Sequence, residues 1–227
     1  MNDRLDVTVG GVRLACRFAG ASDAPPVVLL HALGDDSLSW EFVAAELSPF
    51  FRVVTLDFRG HGHSDRPGEY SFEVMCDDVL GLLDHLNLAR SSVVGHSMGG
   101  TVAYLIAEAQ PGRVDRLILE DTPPPFPESW STPSRPEDPL PFDWAVVPAI
   151  IAQLNDPDPA WWDRLGDITA STLIIAGGPD SHVPQEKLQE VSDLIPTCDL
   201  LTIPAGHQVH EERPDEFVAA VLAFLRA

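Results

Sequence analysis

Apolar and polar positions alternate along LDVTV (5 to 9) and VRLACRF (12 to 18), and Gly10-Gly11 separates the two runs. A period of two broken by paired glycines predicts a β-hairpin near one edge of a sheet. The rhythm then changes. PVVLL (26 to 30), RVVTL (52 to 56), SSVVG (91 to 95), RLILE (116 to 120) and STLIIAG (171 to 177) are short unbroken apolar runs. Such runs predict strands covered on both faces. Between most of them, SWEFVAAEL (39 to 47), FEVMCDDVLGLLDHL (72 to 86) and GTVAYLIAEAQ (100 to 110) carry apolar residues at three- and four-residue spacing. Strands alternating with amphipathic helices predict an α/β fold with a mostly parallel sheet.

The alternation stops between residues 122 and 165, where TPPPFPESWSTPSRPEDPLPFDW begins a proline-dense stretch. Proline at this density predicts no long regular element. Phe126, Trp130, Phe142, Trp144, Trp161 and Trp162 are too many aromatics for a solvated linker, so the segment is expected to pack as a short cap. The pattern then resumes, with a helix expected at 184 to 195, a strand at 198 to 203 and a final helix entered through Pro214. There is no internal repeat, and one domain over 1–227 accommodates all of it.

Composition removes several classes of partner. Thirty-five acidic against 14 basic side chains give a formal charge of -21, which repels phosphate backbones and anionic membranes. No nucleic acid and no membrane partner is therefore expected. No apolar stretch is long enough to span a bilayer, and the N-terminal residues lack the apolar core of a signal peptide. Cys16, Cys76 and Cys198 are few, odd in number and far apart, which suggests neither a disulfide framework nor a zinc site. These features predict a cytoplasmic protein.

The chemistry centres on VVGHSMGG (93 to 100). A dinucleotide-binding turn requires glycine where this chain has Ser97, and no Gly-Lys-Ser/Thr follows to make a phosphate loop. Gly95-His96-Ser97-Met98-Gly99 instead matches G-x-S-x-G between a buried strand and a helix, where the pattern presents a reactive serine. A serine hydroxyl needs a base, and the base needs a carboxylate to orient it. GGPDSHVP (177 to 184) places Asp180 just past one buried strand, and AGHQVHEERP (205 to 214) places His207 just past the last. In a parallel sheet, loops beyond the carboxyl ends of strands share one edge, so the three can converge there.

LLHALG (29 to 34), LDFRGHGHSD (56 to 65), VVGHSMGG, IIAGGPDSHVP (174 to 184) and IPAGHQVHEERP (203 to 214) occur in the order found in the α/β-hydrolase superfamily, which the chain resembles over nearly its whole length. The resemblance implies an eight-stranded, mostly parallel sheet flanked by helices, with a cap after the sixth strand at about 122–165. It implies Ser97 as nucleophile, Asp180 as acid, His207 as base, and the backbone N–H groups of Leu33 and Met98 as the oxyanion hole. Glu120 or Asp121, past the strand 116 to 120, is a second acid position used in the superfamily; GGPDSHVP matches the usual acid loop and favours Asp180. The Gly-His pair after the last strand favours His207 over His210 and His182. The chain departs from the family at Ala32, where a glycine is usual and where alanine rules out positive φ.

His31 and His96 lie inside these motifs and are expected to support the loop and the serine turn, or to border the substrate pocket with Trp130 and Trp144. His61, His63, Asp57 and Arg59 are expected to brace the loop after the strand 52 to 56. The activity so implied is hydrolysis of an ester or related acyl bond in a small, largely uncharged substrate, without metal or organic cofactor. Lactone, thioester or carbon–carbon hydrolysis, perhydrolysis and lyase chemistry are alternatives on the same scaffold, and a non-catalytic ligand-binding protein is a more distant one. Dehalogenase and epoxide hydrolase chemistry use aspartate at the position of Ser97.

Overall fold

A computed structural model describes residues 4–227. β1 (Leu5–Val9) and β2 (Val12–Ala19) form the expected hairpin, followed by β3 (Pro26–Leu30). A 3-10 turn at Ser37–Trp40 leads into α1 (Glu41–Leu47), then come β4 (Arg52–Leu56), α2 (Phe72–His85), β5 (Ser91–His96), α3 (Met98–Ala109) and β6 (Val114–Glu120). After a long excursion holding α4 (Val146–Asn155) and α5 (Pro159–Asp163), the chain forms β7 (Ser171–Ala176), α6 (Gln185–Leu194), β8 (Cys198–Thr202), α7 (Val209–Glu212) and α8 (Pro214–Leu225).

The eight strands make one sheet in the order β1-β2-β4-β3-β5-β6-β7-β8. β1 and β2 pair antiparallel, β2 joins β4 antiparallel, and every pair from β4 to β8 is parallel. The carboxyl ends of β3, β5, β6, β7 and β8 therefore open onto one edge. Because successive side chains point to opposite faces, Val28, Leu30, Leu117 and Leu119 pack with α2 and α3 on one side. Val27, Leu29, Ile118 and Ile175 pack with Trp40, α1 and α8 on the other. Each such buried side chain contributes about 1.5–3 kcal/mol of transfer free energy, so unbroken apolar runs hold a sheet covered on both faces.

The excursion between β6 and β7 is more regular than its prolines predict. VVPAIIAQLN forms the ten-residue α4. Pro148 occupies the third helical position, where the missing N–H belongs to a turn that has no intrahelical acceptor for it. The excursion is tied down at both ends. Tyr70 Oη donates to Asp143 Oδ2 at 2.7 Å, and Asp143 N–H donates to the Gly60 carbonyl. Asn155 holds the Trp130 backbone twice, accepting from its N–H and donating to its carbonyl, each at 2.8 Å. Trp161 is buried edge-on against Phe72 of α2. Among the described residues no helix is long and apolar enough to cross a membrane.

Candidate active site

The turn from β5 into α3 holds Ser97 at φ 52 and ψ -115. A side chain in this region is strained by about 1–3 kcal/mol, and the surroundings must enforce it. The glycines show how. A Cβ on Gly95 would overlap the Gly99 carbonyl, and one on Gly99 would overlap the Leu30 carbonyl and lie 2.7 Å from that of His31. A Cβ on Gly100 would overlap Thr122. Glycine at these three positions lets α3 start directly against β3 and β6, and Ser97 takes the bend between them. Its own N–H donates to the Glu120 carbonyl at 3.0 Å, which ties the turn to the neighbouring strand.

His207 follows β8, and its Nδ1 donates to Asp121 Oδ2 at 2.7 Å. The structure brings Asp121 to His207, and not the Asp180 that the sequence favoured. Asp180 is exposed. Ser181 N–H donates to the Gly178 carbonyl, closing a tight turn that leaves residue 180 on its outer corner. Asp121, one residue past β6 and at φ 39, is buried. Its carboxylate also accepts from the Gly177 N–H at 2.9 Å, from Ser181 Oγ and from Gln185 Nε2 at 3.2 Å. Burial alone would raise its pKa, but the hydrogen bonds from His207, Ser181, Gly177 and Gln185 outweigh it and lower the pKa overall. The segment after β7 supplies hydrogen-bond donors to the aspartate that follows the adjacent strand.

A cavity of about 290 Å³ joins these elements. Ser97, His207, Leu33 and Met98 line it together with Trp130, Ile150, Ile151 and Leu154 of the excursion. Met98 opens α3, so its N–H belongs to the first turn, where the helix offers no acceptor and the dipole favours negative charge. Leu33 lies in the turn after β3. Side chains of this loop and of the loop after β4 hold each other in place. His31 Nδ1 donates to the Ala32 carbonyl at 2.7 Å while Nε2 accepts from the Phe58 N–H at 3.0 Å. His61 Nε2 accepts from the Gly34 N–H, and Asp57 accepts from the Ser37 and His63 N–H groups. Burial lowers the pKa of His31, and of His61 to about 3, so both rings brace as neutral imidazoles. The non-glycine residues with positive φ among those described are Asn87, Ser97 and Asp121, so Ala32 sits in the loop without such strain.

The pocket expectations divide. His96 and Trp130 line the cavity. His31 is fully buried beneath it in its bracing role. Trp144 packs towards Phe142, whose ring lies over His61, and lies outside the cavity lining.

Sequence reasoning missed two features. His96 Nε2 donates to the His207 carbonyl at 2.8 Å, while Glu120 accepts from both the N–H and Nδ1 of His210, each at 2.8 Å. Burial favours neutral His210, but the Glu120 carboxylate outweighs it and raises the pKa; Glu120 is lowered in turn, chiefly by His210 against its own burial. The His210 ring stacks on Trp40 at 4.2 Å, the side a cation favours. Together they clamp both sides of the His207 loop. Donor atoms of His96, Glu120 and His210 lie within 4.8 Å of one another, a set of metal-ligand type, but both Glu120 oxygens and His210 Nδ1 are already engaged with each other. The second feature is Asp35, half-buried in the cavity lining. Burial and then Glu211 raise its pKa to about 6.

A mostly parallel sheet that brings a strained serine and an aspartate-bound histidine to one cavity defines a class of α/β proteins. The family model for the alpha/beta hydrolase fold matches residues 25–147, more than half of the chain, and the protein belongs to that family. An uncharacterised protein of Mycobacterium tuberculosis is 43% identical, but the match spans 49% of this chain and only 33% of that relative. A putative esterase/lipase of Haemophilus influenzae is 25% identical across 89% of this chain and 84% of its own length. The crystal structure of an enol-lactonase from Burkholderia xenovorans superimposes with a TM-score of 0.87 at 27% identity, covering 98% of this chain and all of the other.

Proposed function

We propose that the protein is a serine hydrolase acting on an ester or related acyl bond of a small substrate, with Ser97 as nucleophile, His207 as base and Asp121 as the triad acid. The observation that carries this reading is the His207–Asp121 hydrogen bond at the rim of the cavity that Ser97 lines. With Nδ1–H committed to Asp121, the neutral ring has its lone pair on Nε2, the atom that accepts the Ser97 proton. Ser97 Oγ adds to the substrate carbonyl, and the Met98 and Leu33 N–H groups take up the oxyanion. His207 returns the proton to the departing alcohol, and water hydrolyses the acyl-enzyme by the same sequence. Asp121, held by its further donors, stays ionised and stabilises the imidazolium. The likeness to an esterase/lipase and an enol-lactonase supports ester-type bonds, cyclic ones included. The three free cysteines support the expected cytoplasmic setting.

A fluorophosphonate probe and a short p-nitrophenyl ester test this. Wild-type protein is expected to be labelled at Ser97, and Ser97→Ala to lose labelling and on the order of 10⁶-fold in kcat. Asp121→Asn should cost about 10⁴-fold, and Asp180→Asn, on an exposed corner, no more than about twofold. Undiminished hydrolysis by Ser97→Ala, or a large loss confined to Asp180→Asn, contradicts the assignment.

A further inference from the structure

Three acids lie in or beside the loop that carries Leu33, and two of them have structural work. Asp36 accepts from the Leu38 N–H at 2.8 Å and caps the 3-10 turn, and Asp57 accepts from Ser37 and His63. Asp35 differs: among the described residues its carboxylate has no hydrogen bond and no ion pair, although it is half-buried. Holding a carboxylate this way costs stability, since burial and the repulsion of Glu211 and Asp36 oppose its charge. No Lys or Arg lines the cavity, and burial lowers the pKa of both His96 and His182 in its wall. Asp35 is the one acidic side chain among the described residues that line it. The aromatic side chain of Trp130 lines the same space. A carboxylate without a partner and an aromatic ring in one small cavity are the two groups that recognise an organic ammonium. The charge of -21 draws such cations towards the protein.

We propose that Asp35 is a specificity-determining residue that binds an ammonium group on the substrate, so that the preferred ester has an apolar body and one cationic end. This narrows the expectation of a largely uncharged substrate and rests on the serine hydrolase reading above.

The test compares kcat/KM for isosteric esters differing only in charge. Dimethylaminoethyl butanoate is paired with isopentyl butanoate for a cation on the alcohol side. The p-nitrophenyl ester of dimethylaminobutanoate is paired with that of its methylhexanoate isostere for a cation on the acyl side. Wild-type protein is expected to favour the cationic member of at least one pair, and Asp35→Asn to lower that preference by about tenfold or more. As pH falls through about 6, protonation of Asp35 should erase the preference in the wild type and leave Asp35→Asn unaffected. Glu211 and Asp36 hold that value up while His210 and His207 pull it down. Taking the ratio within a pair cancels any pH effect on the shared catalytic step. Asp35→Asn should also unfold at higher temperature than wild type, opposite to what loss of a structural aspartate does. A preference equal in the two proteins, or absent from both pairs while the neutral esters are cleaved and Ser97 is labelled, overturns this inference alone. No labelling and no cleavage of any ester overturns the serine hydrolase reading and this inference with it.

Discussion

Ser97 and His207 stand out in the sequence because each is fixed by its immediate neighbours: a glycine pair around one, a strand end and Gly206 before the other. The acid is different. Asp121 and Asp180 each follow a buried strand, and the choice depends on how two strand ends and the turn at Gly178 are placed in space. Gly177 shows the tightness of that junction, since a Cβ there would overlap the Gly206 carbonyl. The Glu120–His210 pair was equally hidden, its members lying 90 residues apart. Its contribution to stability depends on pH. His210, raised, contributes fully below its ordinary 6.5 and loses that contribution as pH rises through its folded value. Glu120, lowered, contributes above its ordinary 4.5 and loses it as pH falls through its folded value. Glu120→Gln strands a buried partner and should cost about 3–5 kcal/mol between those limits, less on either side. Urea unfolding across pH checks this; a cost independent of pH would show that the pair is not ionised.

At the scale of elements, strand runs were legible because burial on both faces leaves an unbroken apolar signature. β3 and β4 match their predicted spans, and β6 begins two residues earlier than RLILE suggests. The cap was not legible in the same way. Counting prolines overlooked the first-turn position of Pro148, which costs α4 no hydrogen bond. The excursion meets the cavity through Trp130, and Asn155 fastens that residue by two hydrogen bonds across 25 positions of chain. Asn155→Ala leaves the Trp130 N–H and carbonyl without those partners. The expected cost is about 1–3 kcal/mol. Limited proteolysis should then cut faster within the exposed residues 131–139. If the loosened Trp130 also forfeits about 1.4 kcal/mol of substrate contact, KM rises tenfold. Unchanged proteolysis and unchanged KM would show that the double hydrogen bond does not hold the wall in place.

For the whole molecule, a charge of -21 at pH 7 with a pI near 4.4 is a standing repulsion among surface carboxylates. It disfavours the compact state most when screening is weak. Raising sodium chloride from about 0.01 to about 1 M shortens the Debye length from about 30 to about 3 Å. If this relieves about 1 kcal/mol of repulsion, Tm should rise by about 2–4 °C. Differential scanning calorimetry across that series checks it, and a falling Tm would mean that favourable ion pairs outweigh the repulsion. The sequence by itself determined the alternation of strands and helices, the parallel sheet and the strained serine turn, because periodicity and glycine sterics act between near neighbours. Only the tertiary structure decided which aspartate meets His207, which aromatic residue borders the cavity and which carboxylate stays without a partner there. Those are contacts between residues far apart in the chain, and their geometry follows from how strand ends and loops are packed against one another.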